Sequence, residues 1–465
     1  MKVDRLRKKH PWFVYESYDW EIKEKDLVMS FHFLLPARHA SQGETGGESD
    51  IRFSPRLTIK NVDPQKVKAL HKDGSLENFI FHMGLAEIPS YWKAAASPII
   101  QIKPCGLSYF QKRWWQKLFI KGMGEYFYVN NIDFTQPKFL SIESRRPHKP
   151  HKPHKIYTSS RTLIPMGGGK DSVVTTELLK NAHPVRCMTL NPTPRMLRII
   201  NISKTKNPII VQRKIDPALL KLNKMGYLNG HTPFSSYLAF LGVFCAALFD
   251  CDFVAVSNER SADEGNVEYR GHVVNHQYSK SFEFEKDFRL YTKRYLTSSI
   301  EYFSFLRPLY ELQISRVFAQ YPKYFPYVLS CNRGQKSERW CNKCSKCFFV
   351  YVTLFPFLEK EKLDIIFGTN LYDKKYFLPI FEELTGKQGH KPFECVGTVK
   401  ETHAALSLAI HNVEAQKGHL PYLLRYAKRY ISSGDGLSDR STEKILRSFH
   451  GKHSIPRKFI NTLVI

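Results

Sequence analysis

Met166-Gly167-Gly168-Gly169-Lys170-Asp171-Ser172 is the run whose residue types and spacing come closest to chemistry. Three consecutive glycines let a backbone turn sharply and bring its N–H groups up to a ligand. A helix beginning just behind such a loop turns its positive dipole end toward the same point and favours phosphate. Lys170 adds a full positive charge, and Asp171 is a carboxylate able to hold Mg²⁺. Gly167, Gly168, Gly169, Lys170, Asp171 and Ser172 are therefore the candidate nucleotide-binding residues, with ATP and Mg²⁺ the expected ligands. The plainer alternative is a glycine-rich turn with a chance lysine. The order strand, loop, helix counts against that alternative.

A second constellation follows the apolar run Phe253-Val254-Ala255-Val256. Ser257 to Asn266 and then Val274 to Ser281 mix acids, bases and amides around glycine turns. Loops this polar at a strand's carboxyl end carry function more often than packing. Glu259, Glu264, His276, Tyr278 and Lys280 are each chemically able to act as acid or base, and the sequence does not choose among them. A solvated loop is the bland reading. A third feature is Cys331, Cys341, Cys344 and Cys347, spaced C-x9-C-x2-C-x2-C. Four thiolates so close suit a closed, structural Zn²⁺ site. An Fe–S cluster or four unligated thiols remain open on spacing alone. Cys395, beside Glu394 and near turn residues, is the one other cysteine outside an apolar context.

The elements that must position these residues are legible from periodicity. Residues 161–166, 184–190, 207–213 and 253–257 read as strands, with helices at 172–181 and 193–201 and helical segments up to 249. Such alternation predicts an α/β fold in which helices cover both faces of a parallel sheet, with ligands at the strands' carboxyl ends. Residues 1–144 read as a separate N-terminal α+β domain, with strands at Phe13–Tyr15, Ile51–Phe53, Leu57–Ile59 and Tyr126–Asn130 and a flexible loop at Gly43–Gly47. A basic Pro/His/Lys linker at 145–158 is expected to be exposed; metal or polyanion binding is its other reading. The catalytic domain then spans 159–421, and 422–465 forms a basic, peripheral tail.

The chain has 465 residues and a formal net charge of +27, which points to anionic partners. Basic residues are spread rather than clustered and no RNA-binding module is recognisable, so nucleic acid is disfavoured. Residues 1–10 are basic but no apolar h-region follows, and the apolar stretch 234–256 is interrupted by Ser235, Ser236, Asp250 and Asp252. A buried helix and strand explain that stretch better than a membrane span. Nine cysteines, four of them clustered, suit a reducing cytoplasm.

The glycine loop is neither of two commoner phosphate motifs. A P-loop needs Ser or Thr after the lysine, where Asp171 stands, and the dinucleotide fingerprint needs a third glycine where Asp171 or Ser172 stands. The loop resembles instead the SGGKDS signature of PP-loop ATP pyrophosphatases, with Gly167 in place of the serine. That resemblance implies cleavage of ATP to AMP and pyrophosphate with adenylation of a substrate oxygen. GGGKDS, SNERSADEGN at 257–266, NHQYSKSFEFE at 275–285, SCNR…WCNKCSKC at 330–347 and KPFECVGT at 391–398, with SYWKA at 90–94 and KGMGEYFYVNN at 121–131, together resemble the UDP-N-acetylmuramoyl-L-alanyl-L-glutamate epimerases, the MurL family. The resemblance spans roughly residues 80–410. It implies an isomerase that uses ATP and Mg²⁺ to invert the terminal L-Glu of UDP-MurNAc-L-Ala-L-Glu to D-Glu in peptidoglycan precursor synthesis, through a carboxyl-adenylate. Its substrate is polyanionic, in keeping with the basic chain. The 7-cyano-7-deazaguanine synthases, which share a PP-loop and a cysteine site of similar spacing, and tRNA-modifying PP-loop enzymes are the rival readings. Neither accounts for NHQYSKSFEFE or KPFECVGT.

Overall fold

A computed structural model describes residues 2–38, 50–144, 156, 159–430 and 439–463, with side chains 430 and 439–441 left aside. The loop Gly43–Gly47 and, apart from Ile156, the linker 145–158 lie outside the described residues.

The chain builds one large mixed sheet. β1 (Trp12–Lys23) and β2 (Asp26–Leu35) form an antiparallel hairpin. Along β2 the residues Leu27, Met29, Phe31, Phe33 and Leu35 are all buried, which is the two-residue period of a strand with one face in the core. β3 (Ile51–Phe53) and β4 (Arg56–Ile59) pair with β2. β5 (Ile99–Ile102) and β6 (Ser141–Ser144) extend the other edge in parallel to β1. The strands predicted around 13–15, 51–53 and 57–59 are present.

The remaining large-sheet strands are β7 (Ser159–Pro165), β8 (Val185–Leu190), β9 (Ile209–Lys214), β10 (Cys251–Val256) and a last strand Glu301–Ser304. They are mutually parallel, in the order 301–304, β10, β7, β8, β9. The helices Lys170–Lys180, Pro194–Ser203 and Phe234–Leu248 connect them, so the predicted strand–helix alternation is the observed one. β4 pairs antiparallel with β9, from Arg56↔Lys214 to Ile59↔Val211, so the N-terminal strands continue the same sheet. The helices Ser75–Trp92 and Phe234–Leu248 are buried nearly all round. No helix among the described residues is long and apolar enough to cross a membrane.

Two local expectations are corrected. Tyr126–Asn130 is not a strand: residues Gly124–Val129 form a short helix, with Tyr126 and Phe127 packed against Trp92. An aromatic run has high strand propensity, but burial against a neighbouring helix overrides it here. The segment after Tyr422 is not peripheral throughout. Leu423, Leu424 and Ala427 are buried, and Phe459 packs against Phe253 and Phe303.

Candidate active site

Strand order places the site. Winding runs from β7 to β8 and β9 on one side, then from β10 to 301–304 on the other, so it reverses between β7 and β10. Loops leaving two such strands diverge and open a crevice at their carboxyl ends. The glycine loop leaves β7 and the Ser257 loop leaves β10. Between them lies a cavity of about 370 Å³, lined among others by Gly167, Gly169, Asp171, Ser172, Ser257 and Lys280. That volume lies in the range of small-molecule sites, about 300–1,000 Å³.

Gly168 holds φ at +82°, which favours glycine, and a Cβ there would stand 3.0 Å from Met196 Cγ, so Met196 would have to shift. A side chain at Gly167 would meet nothing within 4 Å. Gly169 precedes the first turn of the helix Lys170–Lys180, and Ser172 Oγ donates to its carbonyl at 2.9 Å. Lys170 turns inward. It is buried, with Nζ 2.5 Å from Asp171 Oδ1 and bonded to Glu311 on the helix Glu311–Phe318. Burial works against its charge, but Asp171 and Glu311 outweigh burial and its pKa is raised. Asp171 is held below the ordinary carboxylate value, because Lys170 and Lys346 outweigh its burial. Glu311 is pushed up, by burial and then by Asp171. Carboxylate oxygens of Asp171, Glu259 and Glu311 lie within 4.8 Å of one another, a set of hard oxygen ligands of the kind Mg²⁺ takes. Glu311 was not foreseen, and no local motif marks it.

Lys280 lines the cavity and also reaches beyond it. Its Nζ donates to Cys395 Sγ and to Gln277 Oε1, each at 3.3 Å. Burial would lower its pKa, but Cys395, Glu259 and Asp171 raise it well above the ordinary value. Cys395 is pulled the other way: burial pushes the thiol up, yet Lys280 and a hydrogen bond from His276 bring it down to about 6. His276 Nδ1 bonds Glu125 Oε2. Burial disfavours the imidazolium, but Cys395 and Glu125 together raise its pKa to about 9. His231 lies against this group, its ring 4.2 Å from that of His276 and its Nδ1 3.7 Å from Glu125 Oε2. Burial and the neighbouring His276 push His231 down to about 3. Glu125 and His231 were not nominated from sequence. Glu125 reaches His276 from the helix Gly124–Val129, which overlaps the strand expected at Tyr126–Asn130.

Buried polar groups hold these loops together. Arg307, 1 % exposed, donates to the carbonyl of Glu259 at 2.7 Å and to that of Lys280. Asn266 accepts from the His276 N–H at 2.8 Å and donates to the Pro392 carbonyl at 2.7 Å, so one amide ties the His276 segment to the Cys395 segment. Lys346 donates to the Cys395 carbonyl. The structure thus brings Lys170, Asp171 and Glu259 into one cluster and His276, Lys280 and Cys395 into the next. Tyr278 stands apart from both. It lines a different cavity with Lys121, Glu283 and Lys286, its ring 5.7 Å from Lys121 Nζ. Glu264 is half-exposed and pairs with Lys391 at 3.4 Å.

The four clustered cysteines converge. Sγ–Sγ distances are 3.8 Å for Cys331–Cys344, 3.6 Å for Cys341–Cys347 and 3.5 Å for Cys344–Cys347. Tetrahedral thiolates at about 2.3 Å from one ion would sit roughly 3.8 Å apart. In an iron–sulfur cluster the cysteines are divided among several irons and stand farther apart. Gly334 is required by the turn: a Cβ there would lie 1.8 Å from the Arg339 carbonyl oxygen.

Comparison with known families matches residues 6–305 to the MurL N-terminal domain and residues 327–431 to the MurL C-terminal domain. The chain belongs to the MurL family. Three curated MurL relatives carry the name UDP-N-acetyl-alpha-D-muramoyl-L-alanyl-L-glutamate epimerase. The one from a Micromonospora species is 39% identical over 372 residues, covering 78% of this chain and 81% of the relative. The Salinispora tropica protein is 33% identical over 404 residues, covering 85% and 84%. The Xanthomonas oryzae pv. oryzae protein is 32% identical over 376 residues, covering 79% and 81%. No solved structure matches the chain. The first MurL match runs from the N-terminal strands through the glycine loop and both polar loops; the second holds the cysteine cluster and Cys395.

Proposed function

We propose that this chain is a cytoplasmic isomerase that inverts the terminal L-Glu of UDP-MurNAc-L-Ala-L-Glu to D-Glu at the expense of ATP, in peptidoglycan precursor synthesis. The observation that carries the reading is Lys280. It faces the glycine-loop cavity on one side and Cys395 on the other, so a nucleotide site and an acid–base cluster adjoin through one side chain. The names of the relatives supply the substrate.

The chemistry calls for such a junction. A free carboxylate makes its neighbouring C–H hardly acidic, because proton loss would create a dianion. Transfer of AMP to that carboxylate, with release of pyrophosphate, removes the charge and provides an electron sink; hydrolysis of the adenylate after inversion then releases AMP and the product. The glycine loop, read as a PP-loop, offers N–H groups and the helix dipole to the phosphates. Lys280 stays protonated and faces charge developing on the activated carboxyl. Mg²⁺, held by Asp171 with Glu259 and Glu311, would neutralise phosphate charge when bound. Cys331, Cys341, Cys344 and Cys347 would hold a structural Zn²⁺ that fixes the segment leading to Lys346.

The test is incubation with ATP and UDP-MurNAc-L-Ala-L-Glu, followed by chiral analysis of the glutamate and assay of AMP and pyrophosphate. D-Glu formed together with AMP and pyrophosphate is the expected result. ATP consumed with a different acid or with tRNA, and no inversion, would refute the epimerase reading and leave only adenylation chemistry.

A further inference from the structure

We propose that Cys395 is the group that removes the α-proton, with His276 and Glu125 as the positioning pair that sets its protonation and Lys280 as the cation between it and the nucleotide cavity. This rests on the epimerase reading above and assigns the step that reading leaves open.

Asp171 and Glu311 are committed to Lys170, and Glu259 lies in the same cluster. Lys280 is held protonated and has no lone pair to offer. Tyr278 faces another cavity. His276 hydrogen-bonds both Glu125 and Cys395, which engages the ring toward each. That engagement also weighs against a metal site at Glu125, His231 and His276, although their ligand atoms lie within 4.8 Å of one another. His231 is neutral but, at about 3, too weakly basic for the task. Cys395 remains. It is only half-buried, and its sulfur lies 3.3 Å from an ammonium that lines the cavity. The charged and titratable groups around it are Lys280, His276, Lys346 and the adjacent Glu394. Three of these are cationic, so the sulfur is held as thiolate. A nucleophile or base bonded to a histidine that is itself oriented by a carboxylate is the arrangement of an activated group rather than of a packing cysteine.

The step balances. The Cys395 thiolate forms an S–H bond with the α-hydrogen, and the C–H electron pair moves into the Cα–carboxyl bond, placing charge on the oxygen that Lys280 faces. Water in the open cavity protonates the opposite face of Cα. The hydroxide so formed takes the thiol proton back by way of the His276 pair. One solvent hydrogen enters and one substrate hydrogen leaves.

The test separates the half-reactions in D₂O. Wild-type protein with ATP and UDP-MurNAc-L-Ala-L-Glu is expected to release pyrophosphate and place deuterium at Cα. In Cys395→Ala and Cys395→Ser, pyrophosphate release should continue while deuterium uptake falls by at least about 100-fold, the usual scale for losing a general base. Alkylation of the folded wild-type protein by iodoacetamide supplies a readout free of substitution. Cys395 should react with a pH midpoint near 6, and the midpoint should rise in His276→Gln. Wild-type exchange in Cys395→Ala overturns the proposal. So does a covalent adduct of substrate mass on Cys395, which would make the thiolate a nucleophile. Wild-type protein that releases no pyrophosphate with this substrate is a different result: it removes the epimerase reading itself.

Discussion

Arg307 should be the side chain whose loss damages both the fold and the site. Its guanidinium is buried, bonds the carbonyls of Glu259 and Lys280, and lies 3.6 Å from Glu285 Oε2. Among the described residues neither carboxylate oxygen of Glu285 has a hydrogen-bond partner, so the nearby guanidinium is what offsets its burial. Arg307→Met keeps much of the volume but leaves that carboxylate buried without its charge partner and removes a donor from each of two backbone carbonyls. Breaking a buried pair in this way costs about 3–5 kcal/mol. Arg307→Met with Glu285→Gln removes both charges and should recover more than half of the loss, since orphaned charge is the larger part of the cost. Urea unfolding of the two variants beside wild type measures both quantities. Epimerase activity should fall about 100-fold in the single variant, because Glu259 and Lys280 would drift from their positions. A loss below about 1 kcal/mol in Arg307→Met, or a double variant no more stable than the single one, would refute the reasoning.

Three further outcomes are expected. Lys170→Ala and Asp171→Ala should each lower pyrophosphate formation by about two to three orders of magnitude, measured by coupled phosphate release, since Asp171 lines the cavity and would hold the metal, while buried Lys170 offsets the charge of Asp171 and Glu311. Elemental analysis should find one Zn²⁺ per chain; Cys344→Ser, and Gly334→Ala through its clash with Arg339, should lose it together with soluble protein. The Cys395–His276 pair should leave stability nearly independent of pH while controlling reactivity. Cys395, lowered to about 6, contributes stability that is present above its ordinary value near 9 and is lost as pH falls through 6. His276, raised to about 9, contributes stability that is present below 6.5 and is lost as pH rises through 9. The two slopes oppose each other between pH 6.5 and 9. Unfolding free energies of wild type across that window should therefore differ by under about 1 kcal/mol from any trend in a Cys395→Ser, His276→Gln double variant.

What could be read along the chain was whatever is encoded by neighbours in sequence. The glycine loop is such a feature: an apolar run, three glycines and a helical run follow one another, and backbone sterics alone place the turn between strand and helix. The strands at 185–190, 209–214 and 251–256 announced themselves through apolar runs and periodicity, and four cysteines within 17 positions were bound to lie close together. Tertiary structure decided what distant residues do to one another. Glu311 meets Lys170 across 141 positions, Glu125 meets His276 across 151, and Cys395 meets Lys280 across 115. No period or spacing links such pairs, because their proximity comes from strand order and from helix packing against the sheet. Among the described residues the pairing of β4 with β9 is what puts the N-terminal segment on the same sheet as the glycine loop. The helix at 124–129 shows the same limit: its residues favour a strand by propensity, and burial against Trp92 makes it a helix that aims Glu125 at His276. Local sterics and periodicity act within a few residues and so can be read in one dimension. The acid–base geometry depends on which surfaces are buried together, and that is settled only when the whole chain packs.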